Sequence, residues 1–154
     1  CATEGFEVSD TFGSLHPEII LQSNWSRHQL VFDAYARSTY YDENPDEDQV
    51  EWGMGLKGRV DASRSSVLSA DGRFDNLAEA RGSIDAVGLA AEPVLYDMAT
   101  GSLSFSQRLN RFSFSLGGRL TTFDYDDLAS LGGGMIDQDF RDRSVAVTIA
   151  TAKY

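Results

Sequence analysis

Val50-Glu51-Trp52-Gly53-Met54-Gly55-Leu56-Lys57-Gly58-Arg59-Val60-Asp61-Ala62 is the stretch on which the fold turns. Its even positions are apolar or small throughout, whereas its odd positions include the charged residues Glu51, Lys57, Arg59 and Asp61. A period of two sends successive side chains to opposite faces of an extended strand, while a helix would repeat its apolar positions every three or four residues. The run therefore reads as one strand with a greasy face and a charged face. It is also long. Globular strands average about 5–6 residues, and a tilted strand crossing a bilayer needs about 9–11.

The same pattern extends in both directions. From Leu30 to Tyr40, Leu30, Phe32, Ala34, Ala36 and Tyr40 alternate with a set that includes Asp33 and Arg37. From Val67 to Phe74, Leu68, Ala70 and Phe74 oppose Asp71 and Arg73. From Phe112 to Thr122, Phe112, Phe114, Leu116 and Leu120 oppose Ser113, Ser115 and Arg119. Weaker versions run over Leu15–Trp25, Met98–Gln107 and Arg143–Lys153, where Val145, Val147 and Ile149 alternate with Ser144, Ala146 and Thr148.

Connections alternate between short and long. Ser26–Gln29, Ser63–Ser66 and Arg108–Arg111 are tight, and they carry Arg27, Arg64, Arg108 and Arg111 without an acid. Asp42–Gln49, Asp75–Pro93 and Asp124–Asp142 are long and hold more than half of the 24 acidic residues. Short turns at one end and long loops at the other are the layout of membrane barrels, with the short side periplasmic. Aromatics near strand ends (Trp25, Tyr40, Trp52, Phe112, Tyr125) fit the two interfacial girdles of such barrels.

These patterns predict an all-β protein, an antiparallel up-and-down transmembrane β-barrel of seven long strands. Cys1–Gly13, with Phe6, Val8 and Phe12, is expected to be an extended segment or an eighth strand, and 14–154 the barrel hairpins. Because bacterial single-chain barrels use even strand numbers, seven strands would make the chain part of a larger barrel, or one that pairs its open edges with other chains. The repeat also overlaps a propeller blade in length, but a blade needs four short strands per unit where two long ones stand here. A soluble meander or lipocalin-like barrel shares the alternation and would turn its apolar face inward.

Composition narrows the function. A net charge of −11 is unsuited to a phosphate backbone, so no nucleic-acid partner is expected. No apolar run reaches the roughly 18 residues of a membrane helix, which excludes a helical span and says nothing of strands. The single cysteine, Cys1, excludes an internal disulfide and a multi-thiolate zinc site. Standing first, where Met is absent, it is a candidate for lipidation at a processed amino end; a trimmed chain with an ordinary thiol is the plainer alternative.

Three strings at strand–turn–strand junctions carry a family resemblance: Ser23-Asn24-Trp25-Ser26-Arg27-His28-Gln29-Leu30, Lys57-Gly58-Arg59-Val60-Asp61-Ala62-Ser63-Arg64, and Gln107-Arg108-Leu109-Asn110-Arg111-Phe112. The run from Leu15 to Tyr125 resembles the outer-membrane β-barrel porins of proteobacteria, of the beta-barrel porin 2 type. The resemblance implies the outer membrane of a Gram-negative bacterium and a link to exopolysaccharide export, with lipid, polysaccharide or export-machinery proteins as partners. It implies no catalytic residue. Members of that family are longer, with more hairpins.

In a barrel of this kind Leu30, Phe32, Trp52, Met54, Leu56, Val60, Phe112, Phe114, Leu116 and Leu120 would face lipid. Asp33, Arg37, Glu51, Lys57, Arg59, Asp61, Asp71, Arg73 and Arg119 would face the lumen and set its selectivity, or close a narrow lumen with ion pairs. The acidic run containing Asp42, Asp46 and Asp48 is a weak calcium candidate: Glu47 stands where an EF-hand needs Gly, and Gly53 where it needs the bidentate Glu. No cofactor is expected. Nor is an enzyme: His16 and His28 are the two histidines, Ser26 near His28 sits in a turn, and Gly132-Gly133-Gly134 lacks the Lys-Ser/Thr of a phosphate loop. The functional expectation is a porin-like conduit or a component of polysaccharide export. The alternatives are an adhesive surface barrel with acidic extracellular loops and a soluble barrel holding an apolar ligand.

Overall fold

The computed structural model describes residues 11–42, 48–79, 94–129 and 134–154. The strands are β1 (Phe12–Leu15), β2 (Glu18–Gln22), β3 (His28–Tyr41), β4 (Gln49–Asp61), β5 (Ser66–Glu79), β6 (Val94–Leu109), β7 (Phe112–Tyr125), β8 (Leu128–Ala129), β9 (Met135–Ile136) and β10 (Arg143–Lys153). β3 to β7 pair in sequence order, every pair antiparallel; β10 continues the sheet beside β7, and β8–β9 form a separate small ribbon. No helix of the described residues is long and apolar enough to cross a membrane.

β1 and β2 share one edge of β3, opposite Ser38–Tyr41 and Val31–Tyr35 respectively. They are a single ribbon broken at His16-Pro17, where proline offers no N–H to a ladder. The Pro17 carbonyl still accepts from the Ala36 N–H at 3.1 Å. Phe12 and Gly13 thus belong to this first ribbon, while Phe6, Val8 and the remainder of 1–10 lie outside the described residues. Among the described residues the sheet is open, with β1–β2 at one edge and β10 at the other.

The tight turns hold through local hydrogen bonds. Ser23 Oγ accepts from the Leu30 N–H at 2.8 Å, and Ser63 Oγ from the Ser65 N–H at 3.1 Å. β6 and β7 are joined by Asn110-Arg111 alone, with Asn110 at φ 53°. Asparagine is among the few residues that adopt this left-handed region readily, which suits it to a two-residue hairpin.

The strands outrun the alternation read from the sequence. β5 continues to Glu79 rather than ending at Phe74, and β6 begins at Val94 rather than Met98. Asp75 and Glu79, expected in a long loop, are therefore strand residues. Lateral partners hold these polar ends extended: Asn76 Nδ2 donates to Asp97 Oδ1 across β5–β6 at 2.7 Å.

The packing is inverted relative to a protein with a greasy core. Val94 is the buried apolar residue among those described, whereas Asp75 is 3% and Gln138 0% exposed. Trp52, Leu56 and Leu116 are 38%, 50% and 55% exposed. The sheet is one layer, and its better covered side is the polar one.

Candidate functional site

Register places the nine charged candidates on one face. Asp33, Gly55 and Arg73 form a row across β3, β4 and β5; Lys57, Asp71, Ser102 and Arg119 form the next across β4 to β7. Arg37 lies opposite Glu51, Arg59 opposite Gln29, and Asp61 opposite Val67. The ten apolar candidates occupy the other face: Phe32 opposite Leu56, Val60 opposite Leu68, and Leu116 opposite Phe105 are typical pairs. β10 departs from the simple pattern. Val145, Val147 and Ile149 stand opposite Thr121, Arg119 and Gly117, on the charged face, and Ala146 and Ala150 join Leu120 and Leu116 on the apolar one.

The charged face is wired by pairs that span two strand spacings. Arg73 in β5 reaches over Gly55 to Asp33 in β3 at 2.7 Å and binds Asp75 beside it at 2.9 Å. The Tyr35 hydroxyl donates to Asp75 Oδ1 at 3.1 Å across Gly53, and the Arg73 guanidinium lies 5.5 Å from the Tyr35 ring centre. The glycines make this possible. A Cβ on Gly55 would sit 2.7 Å from Asp33 Oδ1, and one on Gly53 would strike Asp75 and come within 2.6 Å of Tyr35 Cε1. The next row repeats the device with a small residue: Ser102 donates to Asp71, which lies 4.0 Å from Arg119 on the far side. Arg37 binds Glu51 at 3.3 Å, and Arg59 binds Asp61 at 3.0 Å.

At the long-loop end, the short 3-10 turn Asp139–Arg141 brings Arg141 back onto the sheet. Arg141 binds Glu79 at 2.9 Å and covers the Tyr125 ring at 4.1 Å, and Tyr125 stacks on Tyr96 at 5.1 Å between centres. Nearby acids crowd one another. Burial raises Asp126 above the ordinary carboxylate range, reinforced by Asp97, Asp124 and Asp127; Asp137 and then Asp127 raise Asp139.

Tyr35, Asp75, Ser102, Glu79 and Arg141 escaped the sequence reading. Asp75 was within reach of it, because Arg73 and Asp75 continue the same period-two face. Arg141 was not, since nothing local shows that its turn folds back over β7.

Asp46 lies outside the described residues, and Asp48 Oδ1 accepts from the Tyr41 N–H at 2.8 Å, closing its own turn. A different trio, Asp127, Asp137 and Asp139, brings carboxylate oxygens within 4.8 Å of one another on the exposed surface. Asp127 and Asp137 each accept a backbone N–H, from Gln138 and Asp139, both at 2.9 Å, so the trio builds the turn. His16 packs edge-on against Tyr35 at 5.6 Å. Among the described residues no hydrogen bond joins Ser26, His28 and Asp61. Cys1, Gly132 and Gly133 lie outside those residues.

Comparison with protein families matches residues 2–154 to the family described as "Putative beta-barrel porin 2". The chain belongs to that family. It is an outer-membrane-type β-barrel protein, and its antiparallel sheet of long strands is the wall such a barrel requires. No curated protein and no solved structure matches it.

Proposed function

We propose that the apolar face meets the lipid of a Gram-negative outer membrane, and that the charged face lines a lumen conducting small hydrophilic solutes. The inverted packing carries this reading. Leu56 and Leu116 are about half exposed, while the side chains of Asp33 and Asp75 keep 17% and 4% of their surface. In water each uncovered large apolar side chain forgoes up to about 1.5–3 kcal/mol of burial, so a face on which nine of the ten are exposed is expensive unless acyl chains cover it. The dimensions agree. Val50 to Val60 spans about 34 Å of strand, hence about 24 Å of height at a 45° tilt, against an apolar band about 25 Å tall in membrane barrels.

A second reading, a part in polysaccharide export, draws on the long-loop end of the charged face, where Tyr96, stacked on Tyr125, offers one flat amphipathic ring. An adhesive barrel would conduct nothing, and a soluble one would hide Trp52 from lipid. Reconstitution tests all of these. In a Trp25→Phe variant, where Trp52 is the one tryptophan left, brominated acyl chains should quench its fluorescence, and planar bilayers should show discrete conductance steps. Unquenched Trp52 sinks the membrane orientation, and a silent bilayer sinks the conduit.

A further inference from the structure

Charge is distributed unevenly along the strands. The short-turn end bears a cavity of about 430 Å³ whose wall includes Arg59, Arg64, Arg108 and Lys153 and no acidic residue. Arg59 is bound to Asp61 at 3.0 Å. Arg64, Arg108 and Lys153 have no ion-pair partner among the described residues. In a chain of net charge −11, where carboxylates outnumber cations, three uncompensated cations in one recess are not a by-product of composition.

The fold holds them there. Arg108, Ser113 and Lys153 are consecutive members of one row across β6, β7 and β10, so the two cations flank the serine on the charged face. They stand two strand spacings apart, about 9.5 Å between backbones, with a small hydroxyl side chain between. The Arg108 N–H donates to the Ser65 carbonyl at 2.8 Å, which ties the β4–β5 turn, and Arg64 with it, to the same mouth. Ser106 adds a second hydroxyl to the wall. Elsewhere on this face a small residue between two strands is bridged by an Arg–carboxylate pair. Here both flanking residues are cationic, and the bridging anion is not supplied by the described residues.

We infer that this pocket is an anion site at the short-turn mouth, taking the phosphate group of a small soluble solute. Guanidinium and ammonium donors supply charge-assisted hydrogen bonds to phosphate oxygens, and serine hydroxyls complete the shell. The inference rests on the proposal that the charged face lines the lumen. It adds the class of solute that this mouth admits.

The probe is inorganic phosphate, titrated into protein in phosphate-free maltoside detergent and followed by 31P line broadening. Saturable binding is expected, about tenfold weaker in Arg108→Gln or Lys153→Gln and abolished in the double variant. Arg108→Lys should retain it, and Arg111→Gln, in the neighbouring turn but outside the cavity, should leave it unchanged. Circular dichroism and heat-modifiable migration establish that each variant folds. Binding indifferent to the double variant, or equally weakened by Arg111→Gln, overturns the site. Arg108-dependent binding to phosphatidylglycerol vesicles, with no binding of inorganic phosphate, also overturns it, because the donor would then face lipid headgroups. Arg108-dependent phosphate binding with a silent bilayer upholds the pocket and removes the conduit; steps without phosphate binding do the reverse.

Discussion

Replacing Arg73 by Met tests the wiring of the charged face most directly. Arg73 joins Asp33 at 2.7 Å and Asp75 at 2.9 Å, and the two carboxylates it would abandon are 17% and 4% exposed. Breaking a fully buried pair costs about 3–5 kcal/mol and breaking an exposed one about 0–1. Arg73 itself is 34% exposed, so solvent screens part of the loss, and about 2–3 kcal/mol is expected. With a urea dependence of about 2 kcal/mol per molar, the unfolding midpoint in lipid vesicles should fall by about 1 M. Asp33→Asn and Asp75→Asn added to Arg73→Met should recover most of it, since replacing a whole charged cluster is far milder than removing one member. Arg119→Met is the contrast. Its guanidinium is 61% exposed and 4.0 Å from Asp71, so its midpoint should barely move. A midpoint for Arg73→Met within about 0.2 M of the parent (~0.4 kcal/mol), or a triple variant no better than the single, would refute the network as a source of stability.

Gly53→Ala should lower the same midpoint by the equivalent of about 1–3 kcal/mol, because its methyl collides with Tyr35 and Asp75, while Gly72→Ala, with nothing within 4 Å, should not. Leu56→Arg, in the middle of the apolar face, should cost about 2–4 kcal/mol when measured in lipid and much less if water covers that face. The raised carboxyls of Asp126 and Asp139 set a pH dependence in the turn that carries Arg141. The folded turn binds a proton more tightly than the unfolded chain there. Burial at Asp126 and repulsion from Asp137 and Asp127 at Asp139 therefore weaken the folded form at neutral pH, and both are relieved as pH falls toward the ordinary carboxylate range. Asp139→Asn should raise hydrogen-exchange protection of the Gln138 amide at pH 7 and flatten its pH profile; an unchanged profile removes this account.

How much of this was legible depends on distance along the chain. Alternation is local, so Val50–Ala62 displays its two faces without reference to any neighbour, and the family strings at the turns are contiguous. Strand ends were harder. Asp75, Asn76 and Glu79 have loop-like composition and stay extended because β6 and the returning turn supply partners: Asp97 for Asn76, Arg141 for Glu79. The faces of β10 were illegible for a related reason. Val145, Val147 and Ile149 look like the apolar side of any strand, and only their register against Arg119 and Thr121 shows that they share the charged face. Tyr35 and Asp75, 40 residues apart, meet only because β3, β4 and β5 are neighbours and Gly53 lies between them.

The glycines of β4 also bear on what such a wall can do. An arginine that reaches sideways over Gly55 lies along the sheet instead of projecting from it, so Arg73 offsets one of the two charges of Asp33 and Asp75 at the wall and leaves one net negative charge there. Had Gly55 been a larger residue, Arg73 would have to point away from the sheet, carrying an unshielded charge toward the axis of any lumen. Paired charges present short-range dipoles, whose field fades within a few ångströms, whereas an unpaired cation acts over about a Debye length, roughly 8 Å at physiological salt. The selectivity of the proposed lumen would then be governed less by the paired charges of β3 to β5 than by the charges left over, Lys57 and the surplus carboxylate of this cluster on the wall and the unpaired cations at the short-turn mouth. A substitution at Arg108 should accordingly shift ion preference with little loss of stability, whereas Arg73→Met should lower stability and, by leaving two carboxylates unpaired, also shift preference toward cations.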